Sequence, residues 1–451
     1  MPARLTQLSL TSFKTFRDAR LPLGDMTLLI GRNSSGKSNA LDGLEVLSRL
    51  AEGGDIVDSL DSRRGDEGPL RGGITGCPPH GEDTFRLGCQ VINFDRVEHG
   101  AYVGIIFDVE IRVRPEPGII SESLRGFSGK LRRTNDLAGR AFHTLLHGVS
   151  SSEGSGSIEA RYYNGRPGRD PKATFRSSRL LTAQLPLRLD LTTDAERHVA
   201  AAAQDVLDTL RGVFHLDPVP HLMRQYVPSR DIRLRRTAEN ISAVVGHLKH
   251  VDPAAYERLL RHAQALVDHE ISGIELIRSE LDDLMLALRE DGATTPAREM
   301  SDGLLRFIAI ATTLLRQGRD LDLNRREPTD GAAIPLLVIE ELENGLHPSQ
   351  ASQLLKLVKS ATEERTAQTV FTTHSPALLS ALSREDHRNV VVSTRDRETG
   401  LSRLTKLPDL AGYPSLMAQG DLGAVITSGL LEQSPPENDD HTEFDRLMGL
   451  G

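Results

Sequence analysis

A glycine- and serine-rich segment near the N-terminus has the residue types that bind a polyphosphate. It fits the pattern G-x-x-x-x-G-K-[ST] and consists of Gly31, Arg32, Asn33, Ser34, Ser35, Gly36, Lys37 and Ser38, with Asn39 next in the chain. In this pattern the backbone amides cradle the phosphates, the lysine reaches the β- and γ-phosphates and the hydroxyl binds Mg²⁺. The sequence therefore predicts a triphosphate site with Mg²⁺ on Ser38.

Two elements must flank this loop if it is to hold phosphate. Residues 26–30 are apolar and predict a buried strand, and the chain from Lys37 to about Leu50 predicts a helix. The positive N-terminal end of that helix then points at the anion. The alternative is a chance Lys-Ser pair in a glycine-rich turn. Such a turn would not need a buried strand before it and a helix after it.

Two carboxylates follow a second apolar run. Glu340 and Glu341 come directly after residues 335–339, at the carboxyl end of a predicted parallel strand, where α/β proteins place ligands. Adjacent strand residues face opposite ways, so we expect one carboxylate to orient Mg²⁺ and the other to polarise the attacking water. An acidic strand end that caps a helix is the alternative.

A histidine and a Ser-Asp-Gly sequence lie next to other predicted elements. His374 follows a predicted strand at 369–373, where its ring can hydrogen-bond a γ-phosphate, although such a histidine alone is more often structural. Ser301 and Gly303 precede an apolar helix and can expose backbone amides to an anion. A simple N-cap is the alternative for this pair.

Composition limits the remaining function classes. The chain has 451 residues, 38% of them hydrophobic, and a net charge of −9, which supports a substantial core and argues against a uniformly basic nucleic-acid binder. Residues 111–180 nevertheless hold 13 Lys/Arg against 6 Asp/Glu, and five arginines follow at Arg224, Arg230, Arg233, Arg235 and Arg236. We expect this basic segment either to bind DNA or to be a solvated face.

Cysteine usage and hydropathy point to the cytoplasm. Only Cys77 and Cys89 occur, without a CxxC motif, so neither a disulfide scaffold nor a zinc site is expected. The sequence shows no signal peptide and no membrane-spanning stretch. We therefore expect a cytoplasmic protein without a membrane partner.

Together the four motifs resemble the ATP-binding-cassette class of P-loop ATPases, in its SMC/RecF/OLD-like, AAA-annotated branch. The resemblance covers about residues 1–50 and 220–430, with Walker A at 31–38, a signature loop at 301–303, Walker B at 336–341, a D-loop at 343–348 and His374 as switch histidine. It implies ATP as ligand, Glu340 with Ser38 on Mg²⁺, Glu341 as the base and His374 as sensor of the γ-phosphate. It also implies a head-to-tail ATP dimer in which Ser301 and Gly303 act on the partner's site.

The resemblance implies an α/β P-loop NTPase fold of ABC/SMC-head type. We expect a mostly parallel central sheet, an N-terminal antiparallel β lobe and an inserted α+β region. Four segments are predicted: 1–113, the β lobe and Walker A half; 114–250, the basic insertion; 251–430, the signature, Walker B and switch half; and 431–451, an acidic mobile tail.

The sequence departs from the family patterns at several positions. Asp302 stands where transporter signatures have glycine, Glu340 where Walker B usually has aspartate, and Leu342 where the EEPE run has proline. Gln90 is a weak candidate for the Q-loop and more simply a strand residue. Lys14 and Phe16 lie in the region expected to contact adenine.

The expected function is ATP hydrolysis coupled to DNA or to a separate effector, in anti-phage defence or DNA repair. OLD nucleases carry a TOPRIM domain after the switch histidine, whereas 77 residues follow His374 here, without a Glu followed by an Asp-x-Asp. We therefore expect any nuclease or toxin to be a separate chain. A low-turnover, ATP-switched scaffold is the alternative, and a transporter ATPase is a third interpretation.

Overall fold

The computed structural model describes residues 2–61, 68–99, 102–127, 142–150, 156–267, 270–290, 292–316, 320–323, 333–363 and 367–428. The predicted acidic tail at 431–451 and part of the basic insertion lie outside the described residues.

Strands dominate the first half of the chain. They are β1 (Arg4–Phe13), β2 (Phe16–Pro22), β3 (Met26–Ile30), β4 (Thr84–Ile92), β5 (Gly104–Arg112), β6 (Gly118–Phe127), β7 (His143–Val149), β8 (Ser157–Tyr162) and β9 (Lys172–Arg176). The helices of this half are α1 (Lys37–Ala51), α2 (Ile56–Asp61), α3 (Leu181–Gln184) and α4 (Asp194–Arg211).

Helices and strands alternate in the second half. The strands are β10 (Val213–Leu216), β11 (Val227–Pro228), β12 (Ile271–Arg278), β13 (Asp283–Glu290), β14 (Ala293–Pro296), β15 (Leu336–Ile339), β16 (Gln368–Thr372), β17 (Val390–Arg395) and β18 (Ser402–Lys406). The helices are α5 (Pro220–Met223), α6 (Ile241–Val251), α7 (Pro253–Gln264), α8 (Asp302–Leu315), α9 (Ala351–Glu363), α10 (Pro376–Ser380), α11 (Tyr413–Met417) and α12 (Leu422–Thr427).

Five parallel strands form the part of the sheet that carries the phosphate loop. Their order is β10-β15-β16-β3-β17, and every residue of β3, β15 and β16 is buried. Such continuously buried strands are expected where helices cover both faces of a sheet. Because the strands are parallel and in register, Gly31, Glu340 and Thr373 follow three neighbouring strands at one edge.

The same sheet continues into an antiparallel lobe. From β17 it passes through β18 and β2 to β1, and then through β4 to β9, giving 14 strands among the described residues. The predicted segment boundary at residue 113 falls between β5 and β6, which are antiparallel neighbours in this sheet. A second, four-stranded sheet contains the hairpin of β12 and β13, together with β11 and β14.

Hydrophobic clusters cover both faces of the parallel strands. Leu29 of β3 packs into the cluster that contains α1 and α4, whereas Leu28 and Ile30 pack into the cluster that contains α6, α8 and α9. This sandwich of helices around a mostly parallel sheet, joined to an antiparallel lobe, is the expected α/β P-loop NTPase architecture. No helix among the described residues is long and apolar enough to cross a bilayer.

Candidate functional site

The two glycines of the phosphate loop are fixed by close contacts. A Cβ on Gly31 would lie 2.2 Å from the Ser393 backbone oxygen, and a Cβ on Gly36 would lie 2.5 Å from Ser402 Oγ. Both residues also have positive φ angles, 144° and 111°, in a region that side-chain-bearing residues rarely adopt. Glycine is therefore required twice for the loop to have this shape.

Strand β17 holds the loop from the far end of the sequence. Ser393 Oγ donates to the Ser35 backbone oxygen at 3.0 Å, and Arg395 Nη1 donates to that of Ser34 at 3.4 Å. Sequence reasoning missed both residues, because only the pairing of β17 with β3 brings them here. The sequence signal at this point is the mostly β-branched run at residues 390–394, which is typical of a strand but does not identify its contact with the loop.

Lys37 lies across the loop. Its Nζ donates to the backbone oxygens of Gly31 at 2.7 Å and Arg32 at 2.8 Å. Burial lowers the pKa of Lys37 to about 8, although Glu341, Glu340 and Glu343 oppose that shift. The ammonium group is thus a desolvated cation beside the carboxylates that end β15.

Ser38 and Glu340 form the pair expected of a Mg²⁺ site. Ser38 Oγ donates to Glu340 Oε2 at 2.8 Å, which joins the start of α1 to the end of β15. A hydroxyl and a carboxylate are oxygen donors of the kind that Mg²⁺ prefers, and Mg²⁺ usually takes few protein ligands beside phosphates and water. The donor set therefore fits the ion.

The loop also fits an anion. The Ser35 hydroxyl oxygen is buried and has no hydrogen-bond partner within the described part of the chain. Arg32 and Asn33 line a cavity of about 690 Å³ in front of the loop, and Glu341, Glu343, Asn344 and His374 complete that lining. The cavity brings together the Walker A, Walker B and switch residues that the sequence predicted.

Glu341 has an unusual backbone. Its φ is 49°, its N–H donates to Thr372 Oγ1 at 2.9 Å, and Asn344 Nδ2 donates to its Oε2 at 3.4 Å. Left-handed backbone at a residue other than glycine costs free energy and concentrates at functional sites. The turn separates Glu341 from Glu340, which points to Ser38.

His374 lies in the same cavity. Its backbone N–H donates to Glu343 Oε1 at 2.7 Å. Burial and the nearby Lys37 lower the pKa of His374, while Glu341 and Glu343 act in the opposite direction. The lowered pKa favours the neutral ring, which has one donor and one acceptor nitrogen.

The signature residues lie at the start of α8, and the described lining of the cavity does not include them. Ser301 Oγ accepts from the Leu304 N–H as the N-cap. A Cβ on Gly303 would lie 1.9 Å from the Gly345 backbone oxygen. Within one chain, the helix N-terminus therefore packs against the D-loop.

The remaining residues weighed from the sequence have structural contacts. Asn39 Nδ2 donates to Thr15 Oγ1 at 2.9 Å, and Lys14 pairs with Asp42 at 2.5 Å. Phe16 is fully buried, and Gln90 lies within β4, opposite Gln7. These four side chains therefore support the loop and the lobe in this structure.

Part of the predicted basic surface is neutralised internally. Arg224 donates to Asp302 at 2.6 Å and to the Met300 backbone oxygen at 2.7 Å, and Arg236 pairs with Glu45 of α1 at 3.0 Å. In the hairpin of β8 and β9 the exposed arginines are Arg166, Arg169 and Arg176, and exposed Arg179 follows three residues after β9. These four arginines give that edge of the sheet exposed positive charge.

Comparisons with known proteins agree with the motifs. A family model described as "AAA domain, putative AbiEii toxin, Type IV TA system" matches residues 26–380. A relative described as "OLD nuclease" from Thermus scotoductus is 24% identical over 412 residues, which covers 89% of this chain and 66% of the relative. The chain thus spans just under two thirds of that relative's length.

Solved structures also match over most of the chain. The "SMC head domain from Thermotoga maritima" is 14% identical, with a TM-score of 0.40, over 89% of this chain and 98% of that one. The "Crystal structure of the SmcHead bound to the C-winged helix domain of ScpA" is 11% identical, with a TM-score of 0.47, over 89% and 97% of the two chains.

Proposed function

The chain belongs to the AAA domain family whose model covers residues 26–380, within the SMC/RecF/OLD-like group of P-loop ATPases, and we propose that it binds ATP with Mg²⁺ and hydrolyses it. The observation that carries the proposal is the shared cavity. It gathers the phosphate loop, Glu341 and His374 at the carboxyl edge of the parallel strands.

Each residue has a role that its position supports. Lys37 would hold the β- and γ-phosphates, and Ser38 with Glu340 would hold Mg²⁺, whose charge neutralises the phosphates. Glu341 would polarise the attacking water, and His374 would contact the γ-phosphate. Phosphoryl transfer depends mostly on positioning and charge stabilisation, so these few side chains suffice.

We further propose an ATP-dependent head-to-tail dimer. Ser301 and Gly303 place a helix N-terminus on the surface without a lysine of their own, and Ser301 is exposed. In the proposed dimer this helix end would contact the phosphates bound by the partner's Lys37, since backbone amides at a helix N-terminus favour anions.

Three substitutions test the proposed ATP hydrolysis and ATP-dependent dimer. Glu341→Gln removes the charge needed to polarise water but keeps the size of the side chain, so turnover should fall about a hundredfold or more while ATP still binds. Lys37→Ala should abolish ATP-dependent dimers, and Ser301→Arg should block the partner's site. Light scattering with and without ATP measures the dimer, and phosphate release measures turnover.

The controls separate the outcomes. Glu257→Gln replaces an exposed glutamate on α7 and should behave as the wild type. Mixing Lys37→Ala with Ser301→Arg should restore one composite site and part of the turnover. If that mixture is inactive although heterodimers form, the trans arrangement is wrong. ATP-dependent dimers with no turnover in the wild type would instead favour the ATP-switched scaffold.

The likeness to an OLD nuclease motivates a proposal about partners. We propose that the ATPase acts with DNA, or with a separate nuclease or toxin, in anti-phage defence or DNA repair. The exposed arginines of the β8–β9 hairpin support DNA contact, because phosphate backbone contacts give salt-dependent binding without sequence preference.

Charge reversal at the hairpin tests the DNA contact. Substituting Glu for three arginines in or directly after the hairpin should weaken DNA binding and reduce its salt dependence; the positions are Arg169, Arg176 and Arg179. The control reverses three arginines exposed elsewhere, namely Arg261, Arg384 and Arg388. Equal DNA affinity of the two triple variants would exclude the hairpin as the DNA-binding surface.

A further inference from the structure

Two loops of the cavity hold each other through reciprocal hydrogen bonds. The loop after β15 gives its Glu341 N–H to the Thr372 hydroxyl at 2.9 Å. The loop after β16 gives its His374 N–H to the Glu343 carboxylate at 2.7 Å. The acceptor of the first bond is the last residue of β16, and the acceptor of the second lies in the loop after β15.

The Glu341 backbone needs such support. Its φ of 49° is an unfavourable conformation that persists only where neighbouring groups fix it. The Asn344 N–H donates to the Glu341 backbone oxygen at 2.8 Å, and the Leu342 N–H donates to the Thr372 backbone oxygen at 3.1 Å. The N–H of Glu341 itself donates to the Thr372 hydroxyl, so this hydroxyl also fixes the turn.

A second threonine on the same strand lacks this contact. Thr369 and Thr372 both belong to β16 and are 1% and 2% exposed. The Thr369 hydroxyl is buried and has no hydrogen-bond partner among the described residues. Burial alone therefore does not explain why a hydroxyl stands at 372, and Thr369 provides a matched comparison.

Glu343 joins the two loops from the other side. Its Oε1 fixes the backbone of His374, and its own backbone oxygen accepts from the Leu346 N–H at 2.9 Å. The side chain also lines the cavity. Glu343, the first residue of the D-loop, therefore joins that loop to the switch histidine.

We propose that Thr372 and Glu343 are positioning residues of the ATPase: Thr372 fixes the backbone of Glu341, and Glu343 fixes that of His374. This inference rests on the proposed function, in which Glu341 polarises water and His374 contacts the γ-phosphate. Ser393 and Arg395 hold the phosphate loop separately. Loss of the Thr372 or the Glu343 hydrogen bond should therefore affect turnover more than ATP binding.

Isosteric variants test Thr372. Thr372→Val keeps the shape but removes the acceptor, so kcat should fall roughly tenfold to a hundredfold, the scale of a 1 Å misplacement. KM for ATP should stay within about twofold, since uniform binding is untouched. Thr372→Ser should recover most of kcat, and Thr369→Val should match the wild type. Thermal unfolding of each variant establishes that it is folded.

A second pair tests Glu343 without altering the strand. Glu343→Gln keeps an oxygen that can accept from the His374 N–H, whereas Glu343→Met does not. The glutamine variant should retain more than half of kcat, and the methionine variant should lose at least about tenfold.

The outcomes distinguish this inference from the proposed function. If Glu341→Gln is inactive but Thr372→Val turns over like the wild type, the positioning role is wrong and the ATPase proposal stands. If Thr372→Ser is as impaired as Thr372→Val, the hydroxyl is not the reason and the inference also fails. If the wild type hydrolyses ATP no faster than Glu341→Gln, both are overturned.

Discussion

Alanine at Gly303 should destabilise the protein even without nucleotide. The added Cβ would lie 1.9 Å from the Gly345 backbone oxygen and 2.7 Å from its carbonyl carbon. Neither atom belongs to a flexible side chain, and Gly345 itself has a φ of 81°. The start of α8 and the D-loop must therefore separate by more than about 1 Å to reach van der Waals distance.

The size of the effect follows from two opposing contributions. Overpacking in a well-packed region costs roughly 1–3 kcal/mol, and replacing a helical glycine by alanine returns about 0.5–1 kcal/mol. We therefore expect the free energy of unfolding to fall by about 1–2 kcal/mol. Urea unfolding of nucleotide-free protein, at concentrations where it is monomeric by light scattering, measures this contact within one chain.

Gly273 provides the control. A Cβ at Gly273, in β12, would meet no atom within 4 Å, and its φ lies outside the left-handed region. Gly273→Ala should therefore keep the free energy of unfolding or raise it by up to about 1 kcal/mol, because the gain from replacing glycine applies without a clash. A Gly303→Ala protein as stable as Gly273→Ala would refute the packing argument, and would leave phosphate binding as the remaining reason for glycine at 303.

Two predictions concern pH. The kcat/KM for ATP, which reports on the free enzyme, should fall as pH rises through about 8, where Lys37 loses its proton; a profile flat to pH 9.5 would contradict the assignment. Burial lowers the pKa of His215 from 6.5 to about 4, although the charge of Glu45 opposes this shift. Between these two pH values His215 is protonated in the unfolded state but not in the folded state. Its contribution to the free energy of unfolding therefore falls as pH drops from 6.5 to 4. Between pH 7 and 5 the contribution of His215 to this loss should be about 2 kcal/mol, measured by urea unfolding as the change in the stability difference between the wild type and His215→Gln. His221→Gln, at an exposed position, should keep the wild-type pH dependence.

Local patterns predicted the phosphate loop and its flanks. The expected strand at 26–30 is β3, and the expected helix beginning at Lys37 is α1. Both elements can be predicted from about 25 consecutive residues, which contain an apolar run, glycines that permit the turn and apolar residues at helical spacing. The strand ends that carry Glu340 and His374 were predicted for the same reason.

Contacts between distant segments could not be predicted in this way. Ser393 and Ser35 are 358 residues apart, and Glu341 and Thr372 are 31 apart; strand pairing alone brings each pair together. Nothing in the types Ser and Thr marks them beforehand, because both are ordinary residues in strands. A single sequence therefore indicates which residues react but not which ones hold them.

Charge counts were similarly incomplete. The arginine cluster at 224–236 suggested an extension of the basic surface, yet Arg236 pairs with Glu45 on the phosphate-loop helix and Arg224 pairs with Asp302 beside the signature. Composition gives the sum of charges, whereas exposure depends on which partners the fold supplies. The DNA proposal accordingly rests on the β8–β9 hairpin alone.

The contact between Gly303 and Gly345 changes what a signature substitution can show. Among the described residues, Ser301 is exposed and caps α8, so in the proposed dimer its replacement would mainly affect the partner's site. Gly303 instead packs on the loop that begins with Glu343, and Glu343 holds the backbone of His374 in the same chain. In the proposed dimer a variant at 303 would therefore disturb two sites, its own through the D-loop and the partner's through the helix end. Of these two signature positions, 301 is the one whose variants would isolate the proposed trans contribution.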